Sequence, residues 1–356
     1  MAEFDHIALS GSFAGYRVQA VDLTERTFAL LVADTSQAVF LGCPMEPQAL
    51  AHVRAGGALV FPPVPGLPVN PYRAALYSPD ELYDGLEDNG YDTTPDARAH
   101  AWLRSTTADG DVFASMLRSI HDDAMSDALD ELLRGAQVVG VMGGHAMERG
   151  GDAYAGAARL GRSLARAGLT VATGGGPGAM EAANLGAYAA PYDDVMLGKA
   201  LTVLAGTPSF AGSVDGWAGA AFAVRDRWPD GGPSLGVPTW FYGHEPPNAF
   251  AAHIAKFFAN AVREDGLLSR CTAGVVFLPG AAGTVQEVFE AATPNYYSSR
   301  GEPAPMVLVD RAHWTERLPA WPLLESLAAN RPMARRIALV DSVTEVPDAL
   351  ARLSGP

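Results

Sequence analysis

Lysine is nearly missing from this chain. Of 25 basic residues only Lys199 and Lys256 are lysine. A Schiff-base mechanism would therefore have to use one of those two. Cysteine is as scarce. Cys43 and Cys271 are the only two, too few for a disulfide framework, and no Cys/His cluster has the spacing of a zinc site. No apolar run of about 18 residues occurs, so nothing is expected to span a membrane. The opening MAEFDHIALSGSF has no basic n-region and no apolar h-region, so no signal peptide is expected and the expected compartment is the cytoplasm. Positive charge is in deficit, with a formal net charge of −15. That balance argues against a nucleic-acid polymer or an anionic membrane as partner. It leaves room for one small phosphate, which needs only a local site. A G-x-x-x-x-G-K-[ST] sequence is lacking too, so ATP hydrolysis of the P-loop kind is not expected.

What is present is a globular composition: 356 residues, 48% hydrophobic and 18% charged, enough for one large or two medium domains. Residues 1–108 read as a separate N-terminal module without a chemical motif. Thr27 to Val32 and Ala58 to Phe61 are strand candidates, and Pro62, Pro63, Pro65, Pro68 and Pro71 stiffen the chain after them. Residues 109–135 form a helical connection. Apolar positions from Val112 to Leu133 predict one long amphipathic helix or two short ones. His121, Asp122, Asp123 and Asp127 on it are read as ordinary helix-surface residues.

From Gln137 the pattern alternates, and residues 136–356 read as one domain. Val138 to Met142 is a strand candidate, Ala153 to Ala167 a helix, and Leu169 to Ala172 a strand. Met196 to Ala205 contains a further strand, residues 206–232 are a long loop, Ser234 to Tyr242 includes a strand, and Ala249 to about Glu264 is a helix. Met306 to Val309 is another strand, followed by helices near Trp321 to Ala329 and Val346 to Leu353. Repeated βα units of this length predict an α/β fold: a Rossmann-like, doubly wound, mostly parallel sheet carrying the additional N-terminal module. Ligands of such sheets bind beyond the carboxyl ends of the strands. Three glycine turns fall at that edge, at Gly143, Gly174 and Gly280.

The turn that stands out is PGAAGTVQE, Pro279 to Glu287. An apolar strand, Ala273 to Leu278, ends in a loop almost without side chains, and a helix opens after it. Free backbone N–H groups and a helix N-terminus attract an anion, so the turn reads as a phosphate cradle. Glu287 has two readings. Thr284-x-x-Glu287 is a capping box in form. Alternatively Glu287 faces the ligand, where like charge keeps it off the phosphate and directs it to the next group, a sugar. The second turn, TGGGPGAMEAAN from Thr173 to Asn184, puts Pro177 at a first helical position. Its Gly174-x-Gly176-x-Gly178 departs from the dinucleotide spacing G-x-G-x-x-G. Three readings stay open from the residues: a dinucleotide site, a non-catalytic nucleotide sensor, and an enzyme acting on a nucleoside monophosphate.

TGGGPGAMEAAN and PGAAGTVQE, on successive βα turns in this order, resemble the LOG family. These are phosphoribohydrolases that activate cytokinins and are also called lysine decarboxylase-like. The family's second motif is P-G-G-x-G-T-x-x-E. This chain has Ala281 at its second glycine and matches at Pro279, Gly280, Gly283, Thr284 and Glu287. Asn260 to Leu268 and Asn295-Tyr296-Tyr297 look closer to a larger bacterial branch, the nucleotide 5′-monophosphate nucleosidases. The resemblance covers about residues 136–310. It implies hydrolysis of the N-glycosidic bond of a nucleoside 5′-monophosphate to free base and ribose 5-phosphate, with no metal or organic cofactor. It implies Glu287 and Arg263 as catalytic, although the smaller proteins' motif places its arginine where this chain has Glu264; Arg225 and Arg227 are alternatives. Gly174, Gly175, Gly176, Gly178, Gly280, Gly283 and Thr284 would hold the phosphate. His145, Met180, Glu181 and Arg225 are possible substrate contacts, with Arg149 near them. It also implies a homodimer or higher homo-oligomer. Lysine decarboxylation is not expected, since neither Lys199 nor Lys256 has the context of a pyridoxal-phosphate lysine.

Overall fold

Short apolar runs become strands wherever the chain crosses a core. A computed structural model describes residues 1–242, 245–298 and 303–355, and its contacts divide into two compact units. The first comprises residues 1–75 and 112–128, a partition that cuts across the sequence segments 1–108 and 109–135. It holds three parallel strands, β1 (Arg17–Gln19), β2 (Val39–Leu41) and β3 (Leu59–Phe61), in that order. Phe4, Phe13, Leu30, Phe40 and Val53 form its core, with Phe4 stacked on Phe13 at 4.7 Å. The expected strand over Ala58 to Phe61 is β3. The expected strand over Thr27 to Val32 is instead a helix, Thr27–Val32. A six-residue apolar run satisfies either period, and here only Leu30 is buried. Val112–Leu132 is one unbroken helix. His121 on it is fully buried, with Nδ1 3.1 Å from Asp122 Oδ1, so it is an interior residue rather than a surface one.

The second unit comprises residues 76–111 and 129–355. Its strands are β4 (Val138–Met142), β5 (Thr170–Thr173), β6 (Leu235–Gly236), β7 (His253–Ile254), β8 (Gly274–Phe277), β9 (Met306–Val309) and β10 (Ile337–Val340). The sheet order is β10-β9-β8-β4-β5-β6-β7, and every pair is parallel. This is the expected α/β, Rossmann-like architecture. The chain runs outward from β4 through β5, β6 and β7, then returns to β8 on the other flank of β4. That reversal makes the carboxyl ends of β4 and β8 a topological switch point. β4, β8 and β9 are buried at every position, as strands covered on both faces must be. The helices Asp152–Arg166 and Ala179–Tyr188 contribute Tyr154, Leu160, Leu164, Ala183 and Leu185 to the same core.

Several elements differ from expectation. Residues 196–205 hold no strand; 196–204 belong to the helix Asp194–Leu204, whose first turn is capped by Asp193 Oδ1 accepting the Met196 N–H at 2.9 Å. Met196, Leu197, Ala200 and Leu204 are buried at helical spacing, a period hidden inside a mostly apolar run. The expected loop over 206–232 contains the helix Val214–Arg227, capped by Ser213. The strand expected within Ser234 to Tyr242 is present as β6, two residues long. The expected helix over residues 249–264 is instead the two-residue edge strand β7 followed by the helix Asn260–Leu268. β10 is an additional strand that the sequence pattern does not predict. Among the described residues no helix is long and apolar enough to cross a membrane.

Candidate functional site

The three glycine turns are bound to one another. The Gly144 N–H donates to the Pro279 carbonyl, and the Ala179 N–H donates to the Gly144 carbonyl, each at 3.1 Å. The turns after β4, β5 and β8 thus share a hydrogen-bonded backbone before any ligand is considered. Gly178 has φ +73°, and a β-carbon there would lie 2.5 Å from the Gly144 carbonyl oxygen, so only glycine lets these two turns meet. A β-carbon at Gly280 would lie 2.1 Å from Thr284 Oγ1. Ala281, which departs from the family motif, has φ −109°; any L-residue adopts that value, so the departure brings no strain. Beside Gly283 the space is open.

Two buried asparagines hold the second turn. Asn248 donates from its backbone N–H to the Gly175 carbonyl at 2.8 Å and from Nδ2 to the Gly176 carbonyl at 3.2 Å. Asn184 Oδ1 accepts from Asn248 Nδ2 at 3.0 Å and from Thr173 Oγ1 at 2.7 Å. Asn184 closes the TGGGPGAMEAAN motif and was visible as such; Asn248, 64 residues further on, carries no sequence signal. The two turns differ in access. Residues 174–180 are buried, whereas Ala281, Ala282 and Gly283 are exposed.

The helix after the third turn spans Ala282–Tyr297, and its N-cap, Ala281, has no side chain able to cap it. Thr284 is therefore the third helical residue and Glu287 lies in the second turn, so the capping box does not form. The first N–H groups of this helix keep their donors, and Glu287 is released from any capping role. Its carboxylate faces Arg263 on the helix Asn260–Leu268, with Oε1 3.5 Å from Nη1. The guanidinium is held from behind: Nε donates to the Val237 carbonyl at 2.7 Å and Nη2 to the Gly174 carbonyl at 3.4 Å. Neighbouring residues of this helix face different partners. Arg263 points to Glu287, while Glu264 accepts from Asn260 Nδ2 at 2.8 Å and Gln286 Nε2 at 2.7 Å. Gln286 also reaches Glu290 at 3.0 Å.

Glu287 is pushed up to about 7. Burial is the main cause. Arg263 opposes it, and the nearby Glu264, Glu290 and Glu245 add to it. A carboxyl poised near neutrality in a cleft is a mark of functional sites. His145 stands at the same edge, with Nδ1 3.0 Å from Glu245 Oε1. Met180 Sδ packs over Gly174 and Glu245 over Gly176. Arg263, Met180 and Glu245 thereby cover the second turn.

Other candidates lie elsewhere. Glu181 is fully buried; it pairs with Arg149 and accepts from the Tyr154 hydroxyl at 2.9 Å. Arg149 also donates to the Trp217 carbonyl at 2.9 Å, and its guanidinium lies over the Trp217 ring. Both are interior residues, so the expected substrate contact of Glu181 is not available. Arg225 pairs with Asp80 at 2.7 Å, and Arg227 lies over the Trp228 ring; neither has a contact with Glu287 comparable to that of Arg263. Lys199 is exposed on a helix. Lys256 is buried with Nζ 2.6 Å from Asp96 Oδ1. Neither lysine fits a pyridoxal-phosphate site. A cavity of about 1170 Å³ opens at the opposite, amino-terminal edge of the sheet, lined in part by Gln137, Leu169, Ala273 and Met306. It includes none of the glycine turns and neither Arg263 nor Glu287, although Glu290 is in its wall.

The family described as "Possible lysine decarboxylase" matches residues 221–350, a span that includes Arg263, the third glycine turn and Glu287. That span overlaps the later part of the region over which the motifs resemble the LOG family and does not include residues 173–184. No curated protein matches the chain. Among solved structures, the chain is similar to the molybdenum cofactor binding protein from the phototrophic bacterium Rippkaea orientalis, at 16% identity over 62% of this chain and 98% of that one, with a TM-score of 0.37. It is also similar to the Moco carrier protein from Chlamydomonas reinhardtii, at 20% identity over 61% and 97%, with a TM-score of 0.36.

Proposed function

We propose that this protein hydrolyses the N-glycosidic bond of a nucleoside 5′-monophosphate. Water adds to the anomeric carbon, the carbon–nitrogen bond breaks, and the base departs with a proton, leaving ribose 5-phosphate. The observation that carries the reading is the partly buried Glu287 carboxylate, poised near neutrality and 3.5 Å from Arg263, one helical turn beyond an open, uncapped helix N-terminus. The phosphate would take the free N–H groups at Ala282 and Gly283, where the helix dipole favours negative charge. One turn further along, ionised Glu287 would face the ribose. Glycosidic cleavage develops positive charge on the sugar, and a carboxylate beside it stabilises that charge. Arg263 would hold Glu287 in place and limit its rise in pKa. The surrounding Glu245, Glu264 and Glu290 favour the same developing charge.

A positioned acid or base contributes about 10²–10⁴-fold, roughly 3–5 kcal/mol. The test is release of free base from a panel of nucleoside 5′-monophosphates, with the matching nucleosides as controls, by wild type and Glu287→Gln. The expected result is release from monophosphates by wild type, lower by about 10²-fold or more in the variant, with nucleotide affinity retained. Saturable nucleotide binding without release from any monophosphate would overturn hydrolysis and leave a nucleotide-binding protein.

A further inference from the structure

The sheet edge carries a fourth βα turn that no motif announces. It follows β9, which lies between β8 and β10 in the sheet. Asp310, the residue after β9, has φ +76°, a left-handed value that few non-glycine residues adopt. Its N–H donates to the Val340 carbonyl at 3.0 Å, and its Oδ1 accepts the His313 N–H at 3.0 Å. A π-helical turn, His313–Arg317, starts there; such turns often mark functional positions. His313 is 9% exposed, and its ring meets the fully buried Trp314 edge-on at 4.7 Å. The imidazole is thus fixed by its own backbone and by packing. Its Nε2 accepts the N–H of Gly280 at 3.4 Å.

That contact falls on a particular peptide group. The Pro279–Gly280 peptide has its carbonyl held by the Gly144 N–H at 3.1 Å and its N–H held by His313. Both ends are tied, so the peptide plane cannot turn over without losing two hydrogen bonds. The next residues, Ala281 to Gly283, are the open start of the helix. Ala281, at φ −109° and ψ −149°, carries the chain from that fixed plane into the helix.

We propose that His313 is a positioning residue for the phosphate turn: it locks the Pro279–Gly280 peptide so that the N–H groups at Ala282 and Gly283 converge on a phosphate. This rests on the reading of that turn as the phosphate site of a nucleotide. His313 acts through the backbone and touches no reacting atom. The role requires an acceptor at the place of Nε2. Glutamine supplies one, its Oε1 reaching a similar distance; phenylalanine keeps the ring and removes the acceptor.

The experiment compares wild type, His313→Gln and His313→Phe in two assays. Base release from a monophosphate gives kcat and KM. Calorimetry with ribose 5-phosphate gives phosphate affinity without chemistry. The expected result for His313→Phe is a rise of about tenfold in KM and in the ribose 5-phosphate Kd, the worth of one neutral hydrogen bond, with kcat within about threefold. His313→Gln should restore both constants to within about threefold of wild type. Loss of kcat with unchanged affinity, or a glutamine variant as weak as the phenylalanine one, overturns the assignment. If wild type releases no base but binds ribose 5-phosphate, hydrolysis fails while the Kd comparison still decides the role of His313. A wild type that binds no ribose 5-phosphate overturns both.

Discussion

Glu287→Gln should make the protein more stable at pH 8 while lowering the proposed base release by about 10²-fold or more. The folded carboxyl titrates near 7 against 4.5 for the free group. A gap of roughly 2.5 units at 1.36 kcal/mol each is about 3 kcal/mol. The folded state binds this proton more tightly than the unfolded state does. Stability is therefore lost as pH rises from about 4.5 to about 7, and the full cost is present above that range. Glutamine carries no such cost. The side chain is 12% exposed, so solvent screening removes little of the effect. The attraction of Arg263 is already included, since it opposes the rise. Urea denaturation of both proteins at pH 5 and pH 8 measures the difference. The variant should match wild type to within about 1 kcal/mol at pH 5 and exceed it by up to about 3 kcal/mol at pH 8. An equal difference at both pH values, or a less stable variant at pH 8, would refute the reasoning. Either outcome would mean that Glu287 is relieved by partners in the folded state rather than held desolvated.

Further outcomes follow from the same contacts. If ionised Glu287 is required, kcat/KM for base release should rise with pH along a limb centred near 7 and level off above it, and the Gln variant should lack that limb. Gly178→Ala would drive a β-carbon to 2.5 Å from the Gly144 carbonyl oxygen and 2.6 Å from that of His145, at a positive φ. A loss of about 1–3 kcal/mol or more in stability is expected, measured by thermal denaturation. Glu181→Gln would leave Arg149 buried without its counter-charge, at a cost of roughly 3–5 kcal/mol. Soluble yield and melting temperature should fall, while kcat of the folded fraction should stay within about threefold of wild type.

The features that could be read directly from the chain are those set by local geometry. Glycine turns announce themselves because a close approach or a positive φ excludes other residues; Gly178 shows both constraints, while a β-carbon at Gly280 would meet the Thr284 side chain. Alternating apolar runs announced the parallel sheet, because strands buried on both faces must be apolar throughout. Patterns failed where two structures satisfy one run of residues. Met196 to Leu204 is apolar enough for a strand, yet its burial has a helical period. β6 and β7 are two residues long, too short for any period to show.

Other decisions needed the tertiary structure. Which of Arg263 and Glu264 meets Glu287 is a matter of helix phase against a strand edge. Whether Thr284 caps a helix depends on where that helix starts, three residues earlier than the capping-box motif suggests. Glu245 meets His145 across 100 residues, and His313 meets Gly280 across 33. Backbone demands act between neighbours and so leave a mark in the order of residues. The pairing of distant side chains, and the burial that pushes Glu287 toward neutrality, exist only once the sheet has brought its carboxyl edge together.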